Sequence, residues 1–178
     1  MISLIAAVTI NDIIGRQSTI PWFLPADLDW FQKNTLNKPI IMGRCTWDSL
    51  PFPLSGRVNI ILSRFPRIST AMVRWVTNIE DVFSAAGEVP ELMVIGGGEV
   101  YQQFISSAQR LYLTHINKIV IGDTHFPHYE RTQWKEIFSQ YYERNAHNKY
   151  DLFFEILERS TIPEKVFSAE KTTSSVKN

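Results

Sequence analysis

Two aspartates lie two positions apart in an otherwise apolar stretch, IPWFLPADLDWF (Ile20–Phe31), and the spacing separates them. Pro25 suits the first turn of a helix, where its missing N–H is harmless, so a helix can be indexed from it. Leu24, Leu28, Phe31 and Thr35 then recur at intervals of three or four and form one stripe. Asp29 turns away from that stripe, four residues before Lys33, which predicts an ordinary surface pair. Asp27 borders the stripe, four before Phe31. A carboxylate in a first helical turn is stabilised by the helix dipole whatever else it does, and the periodicity leaves that explanation open. Beside Leu28, Phe31, Trp22 and Ile5, the same carboxylate would lose water and its pKa would rise, a condition enriched in active sites.

Glycines mark a second kind of chemistry. Gly43 in IIMGRCTW, and Gly96, Gly97 and Gly98 in MVIGGGEVY, end apolar runs and open helix candidates. Such turns leave backbone N–H groups and the positive end of a helix facing outward, a setting for phosphate. A tight turn explains one glycine. Three in succession cost backbone entropy that a turn does not demand, and close approach of a ligand to bare backbone explains them better. The spacing fits neither a P-loop nor the dinucleotide fingerprint. Arg44 and Arg64 stand beside these features as candidates for a ribose phosphate, with two solvated surface arginines as the alternative. His125 and His128 form H-x-x-H without a third ligand at a plausible spacing, so no metal is expected. Cys45, the single cysteine, has no mate for a disulfide and no Cys–His–Asn pattern for nucleophilic catalysis.

The elements that must carry these residues follow from the apolar runs. The chain has 178 residues, 44% hydrophobic and 12% aromatic, enough for one domain with a substantial core. Lys plus Arg and Asp plus Glu balance at 18 each, which leaves no net positive field for nucleic acid. The apolar opening MISLIAAVTI lacks a basic start and a cleavage site and predicts a buried strand; no run has the length of a membrane span, and a cytoplasmic monomer is expected. Short β-branched runs, ISLIAAV, KPIIMG, VNIILS, MVRWV, ELMVIGG and RLYLTHI, predict central strands of an α/β sheet. Between them lie four helix candidates: Pro25–Leu36, Arg44–Leu50, TNIEDVFSAAG with Thr77 and Glu80 as a capping box, and GEVYQQFISSA. WKEIFSQYYERNAHNKYDLFFEILERS predicts a hairpin that closes the sheet on an antiparallel edge. Residues 160–178, rich in Ser, Thr and Lys, read as a tail outside a domain of residues 1–159.

PWFLPADLDWF, IIMGRCTWDSL, LSGRVNIILS, MVIGGGEVYQQF, LYLTHI and GDTHFP occur in the order and approximate spacing of bacterial dihydrofolate reductases, and the chain resembles that family from Met1 to about Arg159. The resemblance implies a mostly parallel, mixed sheet of about eight strands flanked by four helices, with NADPH and dihydrofolate in one cleft. It implies that Asp27 meets the amino-pyrimidine edge of the pteridine, with Thr114 as its partner and Trp22 holding an ordered water nearby. Ile5, Ala6, Ala7, Leu28, Phe31, Leu50, Leu54, Ile95 and Tyr101 would wall the pocket, and Arg57 would take the carboxylate of the glutamate tail. For the cofactor, Gly43, Arg44, Cys45 and Thr46, with Gly96, Gly97, Gly98, Glu99, Val100 and Tyr101, would cradle the pyrophosphate. Leu62, Ser63 and Arg64 would lie by the adenosine. Ala7, Ile14, Gly15, Ile20, Ile95, Gln103 and Thr124 would complete the cofactor site. A cis peptide between Gly96 and Gly97 is also implied.

Several positions depart from the family pattern. Ile20 and Phe23 replace a common methionine and asparagine in the loop expected to close over the site, Glu99 replaces a basic residue, and Cys45 replaces a histidine. LPFPLSG places Pro51 and Phe52 on the rim. These changes suggest a form that discriminates against antifolate inhibitors such as trimethoprim. Competing readings are a non-catalytic nucleotide-binding module, which loss of Asp27 or Arg57 would signal, and a reductase of a related heterocycle, which would not be expected to keep both residues.

Overall fold

The computed structural model describes residues 1–160; the expected tail from Thr161 onward lies outside the described residues. Ser160 is still tied to the domain, its N–H donating to the Gln133 carbonyl. The predicted runs fold as strands β1 (Ile2–Thr9), β3 (Ile40–Gly43), β4 (Asn59–Leu62), β5 (Val73–Val76), β6 (Leu92–Val94) and β7 (Arg110–Ile116). The hairpin supplies β9 (Trp134–Tyr142) and β10 (Leu152–Arg159). These form one eight-stranded sheet in the order β5-β4-β3-β6-β1-β7-β10-β9, in which β10 alone runs against its neighbours. A short pair that the runs did not predict, β2 (Ile13–Gly15) with β8 (Thr124–His125), stands beside it.

Four helices cover the sheet: α1 (Pro25–Thr35), α2 (Arg44–Ser49), α3 (Ile79–Ala86) and α4 (Gly98–Phe104). Alternation along β1 explains the two layers. Leu4, Ala6 and Val8 join Val82 of α3 and Val100 and Phe104 of α4 in one core, while Ile5 joins Met42, Ile61 and Tyr112 under Phe31 of α1 and Trp47 of α2 in the other. Helices α1 and α2 end one residue earlier than expected, at Thr35 and Ser49, and the limits of α3 and α4 differ as well. Helix α3 is capped by Asn78, whose side chain accepts from the Asp81 N–H, and not by Thr77 with Glu80. Both pairs have the same three-residue spacing, and the extended backbone at Asn78 selects between them. Helix α4 stops at Phe104, so ISSA is not helical.

At the end of the sheet away from the glycine turns, Glu91 is buried and accepts from Ser3 Oγ at 2.6 Å, Tyr112 OH at 3.0 Å and Lys38 Nζ at 2.6 Å. Burial raises its pKa, but Lys38 and the hydroxyl donors outweigh burial, and the net shift is downward. A depressed carboxylate adds stability that is present above its unfolded pKa and lost as pH falls through the folded value. Glu91→Ala is expected to cost about 2 to 4 kcal/mol at neutral pH, because it strands three donors, and to flatten the acid limb of stability. Urea denaturation at pH 7 and pH 4 measures both effects.

Candidate active site

The first turn of α1 brings Asp27 over the middle of β1 and β7. Its partner is Thr114, fully buried on β7 and two residues beyond the core tyrosine Tyr112. Solvent reaches Asp27 only in part, and the surrounding protein desolvates the carboxylate; its pKa is pushed up to about 6, with the Thr114 hydrogen bond acting in the opposite direction. Tyr101 of α4 lies close enough for the charge on Asp27, after burial itself, to raise its phenol pKa further. Tyr101 therefore stays a donor, and its hydroxyl donates to the Ile5 carbonyl at 2.6 Å. The stripe inferred for α1 is confirmed in part: Leu24 and Thr35 are buried and Phe31 is half-buried, whereas Leu28 is 49% exposed. Asp29 is exposed as expected, but it makes no ion pair with Lys33.

Arg57 is buried without a carboxylate partner among the described residues. Its Nη1 donates to Thr35 Oγ1 at 2.7 Å, its Nε donates to the Ser55 carbonyl at 2.9 Å, and the guanidinium lies 5.9 Å from the Phe31 ring centre. Desolvation lowers its pKa. Thr35 is the pivot, since its hydroxyl in turn donates to the Phe31 carbonyl one helical turn back. The last turn of α1 thus aims a cation, while the first turn carries the anion.

The glycine turns meet where β3 and β6 end. Gly43 N–H donates to the Gly96 carbonyl at 2.8 Å, which ties the two turns together. The Gly96–Gly97 peptide is cis, and Gly96 has φ +113, a region L-residues avoid. A Cβ on Gly96 would lie 3.1 Å from the Tyr101 ring, and one on Gly43 would lie 3.1 Å from Val100. The turns therefore present bare backbone with no room for side chains, a cradle of the kind a dinucleotide pyrophosphate requires. Thr46 sits against this cradle, its Oγ1 3.4 Å from where a Gly97 Cβ would be. Gln103 and Glu99 are exposed on α4, with the Gln103 side chain donating to the Glu99 carbonyl.

Ser63 closes a turn by accepting from the Phe65 N–H, and this leaves Arg64 exposed. Arg44 is also exposed and pairs with Asp48 at 3.1 Å. The same carboxylate holds Arg67 at 3.0 Å, with the Arg67 guanidinium 5.0 Å from the Trp75 ring centre. Arg67 was missed from sequence. The Arg44–Asp48 spacing of four was visible, but the link to Arg67 crosses 19 positions. Cys45 is exposed and free.

The loop before α1 is held by Asp123, whose Oδ2 accepts from the Gln17 N–H at 2.8 Å and whose own N–H donates to the Gly15 carbonyl at 3.2 Å. Asp123 falls within the GDTHFP motif but was not singled out. Ile14, Gly15 and Thr124 lie in or beside the β2–β8 pair, whereas Ile20 and Phe23 stand exposed on the loop, Phe23 at 72%. Trp22 packs against Leu24, Ile116, Leu152 and Phe154. Ala6 belongs to the opposite face of β1 from Ile5 and Ala7, buried among the residues under α3 and α4. Leu50, Leu54 and Ile95 join Ile5 and Phe31 in the α1–α2 core, and Leu62 packs in the other. Two open cavities, of about 500 and 360 Å³, contain neither Asp27, Arg57 nor the glycine turns.

Comparison with protein-family profiles matches residues 1–159 to dihydrofolate reductase. A dihydrofolate reductase of Buchnera aphidicola subsp. Schizaphis graminum is 44% identical over 160 residues, 89% of this chain and 99% of that protein. One from Haemophilus influenzae is 43% identical over 157 residues, 88% and 98% of the two chains. Among solved structures, dihydrofolate reductase from Enterococcus faecalis, complexed with NADP(H) and RAB-propyl, superposes with a TM-score of 0.83 at 26% identity, covering 90% of this chain and 97% of that one. The chain belongs to the dihydrofolate reductase family.

The folded pKa of Asp27, about 6, exceeds the 3.8 of a free aspartate, so its ionisation costs stability. That cost is absent below about pH 4, grows as pH rises through 6 and is complete above it. Asp27→Asn is therefore expected to stabilise the protein by about 2 to 3 kcal/mol at pH 8 and to leave it unchanged at pH 3.5. Chemical denaturation at the two pH values checks the sign.

Proposed function

We propose that the protein reduces 7,8-dihydrofolate to 5,6,7,8-tetrahydrofolate with NADPH, the single supporting observation being a desolvated carboxylate, Asp27, in the first turn of the helix whose last turn holds Arg57, a buried cation with no carboxylate partner among the described residues. Opposite charges at the two ends of one helix suit a substrate with a basic heterocycle at one end and a carboxylate at the other. Asp27 accepts from the amino-pyrimidine edge of the pteridine, with Thr114 fixing its orientation and Trp22 holding water nearby. Arg57, already aimed by Thr35, pairs with the glutamate carboxylate as a charge-assisted fork. Ile5, Ala7, Leu28, Phe31, Leu50, Leu54 and Ile95 supply apolar walls, and Ala6 enters through its backbone because its side chain faces the other core.

Bound NADPH supplies hydride to C6 of the pteridine. The chain's own contribution is to bring the two rings into contact, which removes much of the entropic barrier. An ionised Asp27 favours a proton on N5, and that proton arrives through water because the carboxylate is engaged at the other edge of the ring. The cradle of Gly43, Thr46, Gly96, Gly97 and Gly98 receives the pyrophosphate, with Val100 and Tyr101 behind it. Arg44, Arg64 and Arg67, with Ser63 and Cys45, surround the 2′-phosphate and offset Glu99. Ile14, Gly15, Ile20, Leu62, Gln103 and Thr124 line the rest of the cofactor site. The loop before α1 excludes water while Asp123 holds it in place.

Three of the departures from the family pattern, Phe52, Phe23 and Ile20, are large apolar side chains that stand exposed, Phe52 at 69%. On this ground the protein discriminates against trimethoprim and related antifolates. No helix among the described residues is long and apolar enough to cross a membrane; a cytoplasmic monomer completes the proposal.

NADPH oxidation on addition of dihydrofolate tests the activity. Asp27→Asn is expected to lower kcat/KM at least 100-fold at neutral pH and to recover part of it as pH falls, when solution protons reach N5 without the carboxylate; intact turnover at pH 7 would refute the assignment. Arg44→Ala with Arg64→Ala is expected to lower kcat/KM for NADPH about 10- to 100-fold, the equivalent of charge-assisted bonds, while NADH is unaffected. Trimethoprim inhibition equal to that of an ordinary bacterial enzyme would remove the resistance proposal.

A further inference from the structure

Helix α1 has an N-terminus that its own sequence does not close. The N-cap position is Leu24, which has no side-chain acceptor, and Pro25 follows without an N–H. The N–H groups of Asp27 and Leu28 both donate to the Leu24 carbonyl, at 3.0 and 3.1 Å. That leaves the Ala26 N–H, and its acceptor comes from 122 positions away: Asn148 Oδ1 at 2.9 Å.

Asn148 is 3% exposed and lies in the connection between β9 and β10. That connection is folded to present it. Asn145 Oδ1 accepts from the N–H groups of His147 and Asn148, each at 2.9 Å, and the Asn145 N–H donates to the Asn148 carbonyl. Asn148 Nδ2 points back to Asn145 Oδ1 at 3.3 Å and to Tyr142 OH at 3.5 Å, which leaves Oδ1 directed at α1. The outer flank of the turn is otherwise open, facing the cavity of about 500 Å³ lined by Pro25, Ala26, Trp30, Asn145 and Asn148. The backbone immediately before Asp27 is thus secured on this side by one side-chain hydrogen bond.

We infer that Asn148 is a positioning residue for Asp27: by capping the Ala26 N–H it sets the placement of the first turn of α1, and so of the carboxylate against Thr114. The inference rests on the reading of Asp27 as the carboxylate that meets the pteridine. It makes the β9–β10 connection, remote in sequence, part of the substrate end of the site and not of the cofactor end.

Steady-state kinetics of wild type, Asn148→Ala and Asn148→Asp, each checked for folding by thermal unfolding, test it. Asn148→Ala is expected to lower kcat/KM for dihydrofolate about fivefold, the equivalent of one lost helix cap, with KM for NADPH unchanged. Asn148→Asp, which keeps the acceptor, should stay within about twofold of wild type. Placed in an Asp27→Asn background, Asn148→Ala should have no further effect on the residual rate. The inference is overturned if Asn148→Ala matches wild type, if both KM values rise together, if Asn148→Asp is as impaired as Asn148→Ala, or if the loss persists unchanged without Asp27. Full turnover of Asp27→Asn alone would instead refute the reading of Asp27 on which it rests.

Discussion

An acid held away from water with no cation beside it is a costly feature, and much of the architecture around Asp27 exists to keep it so. Burial is the dominant influence on its proton affinity, and the influence that opposes it among the described residues is the hydrogen bond of a neutral hydroxyl, Thr114. Had Arg57 been placed next to Asp27, the two charges would have satisfied one another. Instead Thr35 holds the guanidinium at the far end of the same helix. Helix α1 acts as a ruler that keeps an anion and a cation apart, and a ligand with matching ends can relieve both.

The sheet also brings the two glycine turns together. Strand β1 has parallel neighbours on either side, β6 and β7, and the chain reaches them by leaving toward β3 and returning. Loops from the two halves diverge at the carboxyl ends of these strands, where α/β sheets open a crevice. The glycine turns after β3 and β6 lie there, joined by the Gly43–Gly96 hydrogen bond. Strand β1 turns Ile5 and Ala7 toward α1, while Tyr101 of α4 donates to the Ile5 carbonyl.

Much of this was legible in the residues. Uninterrupted β-branched runs marked six strands, and helical phase alone separated Asp27 from Asp29. Legibility failed where contacts between distant segments decide the outcome. The β2–β8 pair is too short for periodicity and exists because Ile13–Gly15 and Thr124–His125 meet in space. Thr77 and Asn78 were equally spaced for capping, and only the backbone distinguishes them. Arg67 joins Arg44 through Asp48, and Asn148 caps α1 from another hairpin; neither relation leaves a local pattern. The family resemblance supplied what spacing could not, the role proposed for Arg57, since an isolated arginine in LSGRV has no signature of its own.

Asp27 is a desolvated carboxylate whose proton is expected to be released at about pH 6 and not at the pH of a surface aspartate. A carbon-13 NMR titration of the Asp27 carboxyl in the ligand-free protein, assigned by its absence in Asp27→Asn, measures this directly. A midpoint of about 6 is the predicted result. A midpoint near 3.8, the value of an unperturbed aspartate, would contradict the account.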